Sequence, residues 1–248
     1  MRSFLWAAGG TLMTFALTAL GAALVFVFRG DVSSRARRIC FGFAAGVMAA
    51  ACAFSLLAPA AEMAGEAGFA AALLGFPFGA ALMLLLDAAL ERRMADAGEE
   101  ARRRALLFSA VTLHNIPEGM LVGLTLAMAA RGRGAAAGAM ALALGVGLQN
   151  IPEGAAIALP LRAAGMSRGR SFVLGALSGV VEPAAGMAAA LAASLFAPAV
   201  PVMMAAAAGA MMFVVAAEMI PDAAQDRAGM AALMVGYALM AAMDLGLG

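Results

Sequence analysis

Residues 104–128 read RALLFSAVTLHNIPEGMLVGLTLAM, and residues 134–160 read GAAAGAMALALGVGLQNIPEGAAIALP. Each stretch is long and apolar enough to cross a bilayer, which takes about 20 mostly apolar residues. Each carries the same motif with one change, HNIPEG at 114–119 and QNIPEG at 149–154. An ionisable group inside a membrane span is costly and marks a functional site by default. The repeated motif therefore predicts two membrane helices that share one polar site.

The composition places the whole chain in the membrane. Of its 248 residues, 65% are hydrophobic and 12% are charged, and the mean hydropathy is +0.95. Soluble proteins carry about 25% charged residues, so this chain cannot hide its apolar surface in a soluble core. Net charge is +1, and no nucleic-acid partner is expected. Cys40 and Cys52 lie 12 residues apart, about 18 Å along a helix, which is too far for a disulfide.

Hydropathy predicts an all-α integral membrane protein with eight spans in a single domain over 1–248. The predicted spans are 4–28, 39–61, 68–90, 104–128, 134–160, 170–196, 199–220 and 227–248. The first apolar run is longer than the core of a signal peptide, about 7–15 residues, so it is interpreted as a helix that stays in the membrane.

Arginine placement predicts the orientation of the eight spans. Every basic residue is Arg, and thirteen of the sixteen lie in the connections that follow an odd-numbered span. The other three are Arg2, Arg131 and Arg133. Because cytoplasmic connections of membrane proteins are enriched in basic residues, both termini are expected outside the cytoplasm.

The repeated motif places potential metal ligands on one face of each helix. Residues at i, i+3 and i+4 share a face, so three polar side chains converge in each copy. They are His114, Asn115 and Glu118 in the first copy, and Gln149, Asn150 and Glu153 in the second. In antiparallel spans both copies fall near the midplane, so the two faces can meet.

The polar cluster is interpreted either as a transport site or as a set of packing residues, and the motif prolines and glutamates favour the transport site. Pro117 and Pro152 remove a helical hydrogen bond and bend each helix, a device that secondary transporters use at midplane sites. The alternative is that the polar residues only hydrogen-bond between helices. Burying Glu118 beside Glu153 without a cation is unfavourable, however, and a divalent cation removes that penalty.

Other spans offer further candidate ligands. Glu182 lies beside Pro183 near the centre of the sixth span, and a structural role is its alternative. Met48 in the second span offers a thioether, although packing is the default for Met in a chain that has 20 of them. Glu218 is either a ligand along the transport pathway or an interfacial charge. The roles of three more polar residues stay open, namely Ser55, Glu62 and Glu66.

The motif pair resembles that of the ZIP (Zrt/Irt-like) divalent-metal transporters, and most closely their bacterial GufA-like branch. His-Asn-x-Pro-Glu-Gly in the fourth span, with a related motif in the fifth, carries this resemblance over the whole chain. It implies a binuclear metal centre between spans four and five with Glu118 and Glu153 bridging. Implied ligands of the first ion are His114, Glu118, Gln149 and Glu153, with Met48 as a further candidate. Implied ligands of the second ion are Asn115, Glu118, Asn150, Glu153 and Glu182.

The resemblance also implies a homodimer and an elevator-type movement of spans 1, 4, 5 and 6 against spans 2, 3, 7 and 8. The chain departs from the commoner family pattern at two positions, Gln149 and Asn150, and its only histidine is His114. An amide is a weaker zinc ligand than an imidazole. Zn²⁺, Cd²⁺, Fe²⁺ and Mn²⁺ therefore all remain candidate cargoes.

The leading functional hypothesis is a carrier that moves Zn²⁺ or a similar divalent cation across the bacterial inner membrane into the cytoplasm. We expect no catalytic cofactor and no enzymatic activity. An intramembrane metalloenzyme is the first alternative, but the His-Glu-x-x-His motif is absent from the sequence. A non-transporting membrane metal sensor or scaffold is the second, and a transporter of another substrate is the third.

Overall fold

The chain is almost entirely helical. The computed structural model describes residues 2–27, 33–65, 68–95, 99–132, 135–163 and 165–247, and within them it contains no strand. These residues form eight long helices. The helices are α1 Arg2–Val27, α2 Ser34–Ala64, α3 Gly68–Arg93, α4 Glu99–Ala129, α5 Ala136–Ala163, α6 Arg168–Leu195, α7 Ala197–Ala223 and α8 Arg227–Leu247. The predicted all-α fold class is confirmed.

Seven of these helices, as far as they are described, are long and apolar enough to cross a membrane. The remaining one is α4, which is described in part. The helix α4 also begins at Glu99, five residues before the predicted start of the fourth span. The predicted charged connection before it is therefore partly helical.

Three helices deviate from regular α geometry. A π-helical turn interrupts α2 at Cys52–Leu57, and another interrupts α7 at Val215–Met219. The helix α6 is broken at Gly179 and Val180 into two halves, Arg168–Ser178 and Val181–Leu195. Hydropathy predicted none of these features.

Polar contacts show that the α1–α2 and α7–α8 connections lie on the same side of the molecule. Arg37 donates to Asp222 at 3.0 Å, and Arg38 donates to Gln225 at 2.8 Å. At the opposite ends of the helices, Arg131 donates to the Ser3 hydroxyl at 3.2 Å. These two connections therefore share a side, as the charge pattern predicted, whereas the assignment of that side to the cytoplasm stays a prediction.

The helices pack as two bundles. The site bundle consists of α1, α4, α5 and α6, and the second bundle consists of α2, α3, α7 and α8. Glycines let backbones touch inside each bundle, for example Gly123 against Gly186 in the site bundle and Gly79 against Ala206 in the second. Small residues at such crossings are how membrane helices approach closely without a hydrophobic driving force.

An apolar layer separates the two bundles. It contains Leu121, Leu124 and Leu142 from the site bundle and Met204 and Met211 from the second, all of them buried. Buried polar side chains are distributed very differently. Among the described residues, every buried polar or charged side chain except Ser55 belongs to the site bundle. The site bundle thus has buried polar side chains in its interior, and the layer between it and the second bundle is apolar.

Candidate metal centre

Both copies of the motif lie inside continuous helices, with Pro117 in α4 and Pro152 in α5. The polar side chains of five motif residues are buried in the site bundle. Asn115, Glu118, Gln149 and Asn150 are 0% exposed, and Glu153 is 4% exposed. Five polar groups from two neighbouring helices are thus removed from solvent in the interior of one bundle, where each needs a partner.

Each of the three motif amides uses its NH₂ group as a donor within the bundle. Asn115 donates to the Ser178 carbonyl at 3.0 Å, and Asn150 donates to Oε2 of Glu182 at 2.9 Å. Gln149 donates to Oε1 of Glu118 across the α4–α5 contact. Because an amide carries its donor and its acceptor on opposite sides, these bonds fix the direction in which each amide oxygen points.

The break in α6 supplies the acceptor for Asn115. Pro183 has no N–H and cannot donate to the carbonyl of Gly179 four residues earlier. The N–H of Glu182 donates to that carbonyl instead, at 3.0 Å. The Ser178 carbonyl is then available to the Asn115 side chain. A proline in α6 thereby determines where a side chain of α4 is held.

Glu182 is fully buried in the first turn of the second half of α6. Its Oε1 accepts a hydrogen bond from the Thr18 hydroxyl at 2.9 Å, and its Oε2 accepts the one from Asn150. A carboxylate in the first turn of a helix is also favoured by the helix dipole. The two hydrogen bonds and the helix dipole therefore offset the cost of burying the Glu182 carboxylate.

The motif glycines bring the helices together at this same place. A Cβ at Gly119 would overlap the backbone of Glu182, and one at Gly154 would overlap the carbonyl oxygen of Thr18. The first motif is thus packed onto α6 and the second onto α1. The two residues that they touch, Thr18 and Glu182, are hydrogen-bonded to each other.

The motif leaves a set of buried oxygens without a hydrogen-bond partner in the described structure. The set comprises Asn115 Oδ1, Glu118 Oε2, Gln149 Oε1, Asn150 Oδ1, Glu153 Oε1 and Glu153 Oε2. Buried polar atoms are normally satisfied, and each exception needs an explanation. Oxygens of carboxylates and amides are ligands for divalent cations, so this donor set suits a cation.

The carboxylates alone do not form a ligand cage. Glu118 and Glu153 lie close enough to each other and to Glu182 for electrostatic repulsion. Among the described side chains, however, no group of three His, Cys, Asp or Glu is close enough to hold a metal ion. Among the described side chains, the amide oxygens are the further donors that a cation at this place could use.

The remaining predicted ligands are His114 and Met48. The backbone of His114 lies in α4, but its side chain is outside the described part of the structure. Met48 is buried in the apolar layer between the bundles, and its structural surroundings match its packing interpretation. Away from the motif, Ser55 donates to Asp244 at 2.7 Å, and Glu218 is exposed in the π-helical turn of α7. Glu66 lies outside the described residues.

Sequence reasoning missed the residues that hold the motif in place, Thr18, Ser178 and the two motif glycines. Threonine, serine and glycine are common in membrane helices, and a backbone carbonyl has no sequence signal at all. The one available signal was Pro183, which predicts a disturbed hydrogen bond in α6.

Comparison with known proteins assigns the fold to a family. A family model described as ZIP Zinc transporter matches residues 93–244, more than half of the chain. The chain belongs to the ZIP zinc transporter family. The predicted resemblance is thereby confirmed, and both copies of the motif fall inside the matched part.

Several ZIP relatives match over nearly the whole chain. The Zinc transporter ZIPB of Bordetella bronchiseptica is 39% identical, with 94% of this chain and 79% of the relative covered. The Zinc transporter GufA of Myxococcus xanthus is 36% identical, and the Zinc transporter ZIP11 of Homo sapiens is 35% identical. These two alignments cover 96% of this chain, 97% of GufA and 96% of ZIP11. The relatives are named as transporters, and none of these three names describes an enzyme.

Proposed function

We propose that this chain carries divalent cations, Zn²⁺ first among them, across the membrane through the motif cluster of α4 and α5. The observation that carries the proposal is the set of six buried oxygens without a partner, all of them on motif residues. Without a cation these atoms bear an uncompensated desolvation cost. A divalent cation supplies the missing partner, and three relatives that span the chain are named zinc transporters.

Two ions fit this arrangement better than one. Glu118 and Glu153 come from different helices, and Glu153 has both carboxylate oxygens unpartnered. Both residues are implied ligands of both ions by the resemblance to the family. In this proposal Glu118 and Glu153 bridge the ions, and the three amides, His114 and Glu182 complete the two ligand sets. Because protons compete with the cation for the same carboxylates, uptake weakens as the pH falls.

Movement of the site bundle against the second bundle is the proposed transport step. Glu218 apart, each hydrogen bond and salt bridge described between the side chains of different helices joins helices of the same bundle. The glycines that would overlap a backbone also face helices of their own bundle, for all positions described. Where it is described, the contact between the bundles is therefore built mainly from apolar side chains, which can slide past one another.

The proposal extends to direction and assembly. Arginine-rich connections on the cytoplasmic side make the inner membrane of a bacterium the proposed location and the cytoplasm the destination of the cation. A homodimer is the proposed assembly, on the family resemblance alone.

Uptake of Zn²⁺ into proteoliposomes, together with Zn²⁺ binding to the purified chain, tests this proposal. Glu118→Gln and Glu153→Gln each remove a charge and keep the side-chain shape. We expect each to reduce uptake at least about tenfold and to weaken binding, because charged ligands dominate a site of this kind.

The matched control is Glu91→Gln, the same change at an exposed glutamate near the end of α3. It should leave uptake and binding at the wild-type level. Wild-type uptake by Glu153→Gln would overturn the proposal, as would the failure of the wild-type chain to bind any divalent cation.

A further inference from the structure

We infer that Thr18 of α1 is a positioning residue for cation binding, an inference that rests on the proposed function. Its hydroxyl lies 2.9 Å from Oε1 of Glu182 and 3.2 Å from the Thr14 carbonyl of its own helix, so the shorter bond is the one donated to Glu182. Glu182 in turn accepts from the Asn150 amide at 2.9 Å. The Oδ1 atom of Asn150 is one of the unpartnered oxygens. Thr18 therefore acts on the cation site through two successive hydrogen bonds and does not contact the cation.

Thr18 lies where three helices of the site bundle meet. Its carbonyl oxygen is the atom that a Cβ at Gly154 of α5 would overlap, and a Cβ at Gly179 of α6 would lie 2.9 Å from its side chain. The residue is fully buried. Its position is thus fixed by backbone contacts on two sides, which gives the hydroxyl a defined direction toward Glu182.

The hydrogen bonds determine which atom of Asn150 is offered to the cation. With Oε1 of Glu182 held by Thr18, Oε2 faces Asn150 and accepts its NH₂ group. The amide oxygen then points away from Glu182. If the Thr18 bond is lost, Glu182 can rotate, and the Asn150 amide loses the partner that orients it.

This arrangement assigns different roles to the buried glutamates. Glu118 and Glu153 have unpartnered oxygens, whereas neither oxygen of Glu182 is unpartnered. In the described arrangement Glu182 holds the Asn150 amide in place and keeps a free lone pair on each oxygen for its implied role as a ligand, whereas Glu118 and Glu153 have oxygens with no protein partner. Thr14, one turn earlier on α1, is also fully buried, but its hydroxyl donates to the Thr11 carbonyl at 3.0 Å.

Calorimetric titration of the purified full chain with Zn²⁺ tests the role of Thr18. Thr18→Val removes the hydroxyl at nearly constant volume and should raise the Kd for Zn²⁺ about tenfold, the effect of losing one hydrogen bond to a charged group. Thr18→Ser keeps the hydroxyl and should restore the Kd to within about twofold of wild type. In uptake, Thr18→Val should raise KM with little change in kcat.

The matched control is Thr11→Val on the same helix. Thr11 is also fully buried, but its hydroxyl donates to the Ala7 carbonyl of its own helix at 2.8 Å. This variant should bind Zn²⁺ with the wild-type Kd. A loss of affinity in Thr11→Val equal to that in Thr18→Val would contradict the inference, because it would indicate a general packing effect.

Thr18→Ala provides a second measurement if the valine variant does not fold. Thermal unfolding without metal should be similar in the alanine variant and in wild type, whereas the stabilisation by added Zn²⁺ should be smaller in the variant. Wild-type affinity in Thr18→Val or in Thr18→Ala would refute the positioning role and leave the proposed function standing. Absence of Zn²⁺ binding in the wild-type chain would refute both.

Discussion

The amide side chains of the motif show how single residues tune a buried site. Asn115, Gln149 and Asn150 each donate through nitrogen to a protein acceptor and retain an unpartnered oxygen. An alanine in any of these positions would remove the ligand, and an acid would remove the donor. The amides are therefore suited to a site that must hold its geometry and also let a cation leave.

Gln149 is the residue at which metal preference is expected to change most readily. Gln149→His replaces an amide oxygen with an imidazole nitrogen. Zn²⁺ binds imidazole well, whereas Mn²⁺ favours oxygen ligands. We expect the ratio of Zn²⁺ to Mn²⁺ uptake, measured by competition in proteoliposomes, to rise about tenfold. Gln225→His, the same change at an exposed position near Arg38, should leave the ratio unchanged. An unchanged ratio in Gln149→His would exclude residue 149 from the ligand set.

The sequence alone identified the motif residues as a candidate site, but it did not identify the residues that hold them in place. Glu118 and Glu153 stand out because a carboxylate in an apolar stretch has few explanations. Thr18 does not stand out, because a threonine in a membrane helix usually bonds to its own backbone, as Thr11 does. A side chain that bonds to its own helix and one that supports a distant site look alike in sequence.

At the scale of helices, the break in α6 is the feature with the clearest cause. Pro183 redirects the N–H of Glu182 to Gly179, which leaves the Ser178 carbonyl to Asn115. A local rule about proline thus has an effect on another helix.

Replacing this proline should separate stability from function. In Pro183→Ala the regular hydrogen bond to Gly179 can form, and the N–H of Glu182 can return to Ser178. Asn115 then loses its acceptor. We expect the Kd for Zn²⁺ to rise about fivefold, the effect of one neutral hydrogen bond, with no loss of thermal stability.

Pro160→Ala is the control for this change, because Pro160 is an exposed proline inside α5 and lies beyond the motif. It should leave Zn²⁺ affinity unchanged. Tighter or unaltered binding in Pro183→Ala would show that the break does not serve the site.

Hydropathy predicted the eight helices well, but it did not predict the irregular turns within them. The eight spans correspond to eight helices because about 20 apolar residues allow little else in a bilayer. The π-helical turns at Cys52–Leu57 and Val215–Met219 accommodate one extra residue per turn without changing the mean hydropathy. Packing between helices determines where such turns form, and the mean hydropathy of a stretch of sequence carries no information about packing.

At the scale of the whole molecule, the two bundles differ in what holds them together. Polar bonds and backbone contacts act inside each bundle, and the apolar layer acts between the bundles. This division was expected from the family resemblance, and no spacing in the sequence indicated it. Glycines mark the close contacts, but the sequence does not say which glycine meets which helix.

A cross-link between the bundles should stop transport if the site bundle moves. Gly145 of α5 faces Met240 of α8, whose sulfur would lie 3.2 Å from a Cβ at position 145. In a chain lacking Cys40 and Cys52, Gly145→Cys and Met240→Cys would be joined by a short bifunctional methanethiosulfonate reagent. We expect Zn²⁺ uptake to fall to background and to recover after reduction.

A cross-link inside the second bundle is the control. Phe54 and Tyr237 lie on α2 and α8 with ring centroids 6.3 Å apart, and Cys at these two positions can be joined in the same way. That link should leave uptake unchanged. Full uptake with the Gly145–Met240 link in place would rule out relative movement of the two bundles.

Helices touch through their backbones inside the bundles and through their side chains between the bundles. This difference determines which positions tolerate amino-acid substitution. At a backbone crossing such as Gly119 against Glu182, any added atom displaces a helix. In the apolar layer, exchanges among Leu, Met and Ile conserve volume and are tolerated. A saturation mutagenesis scan selected for growth at low zinc should therefore trace the boundary between the bundles as a band of permissive positions.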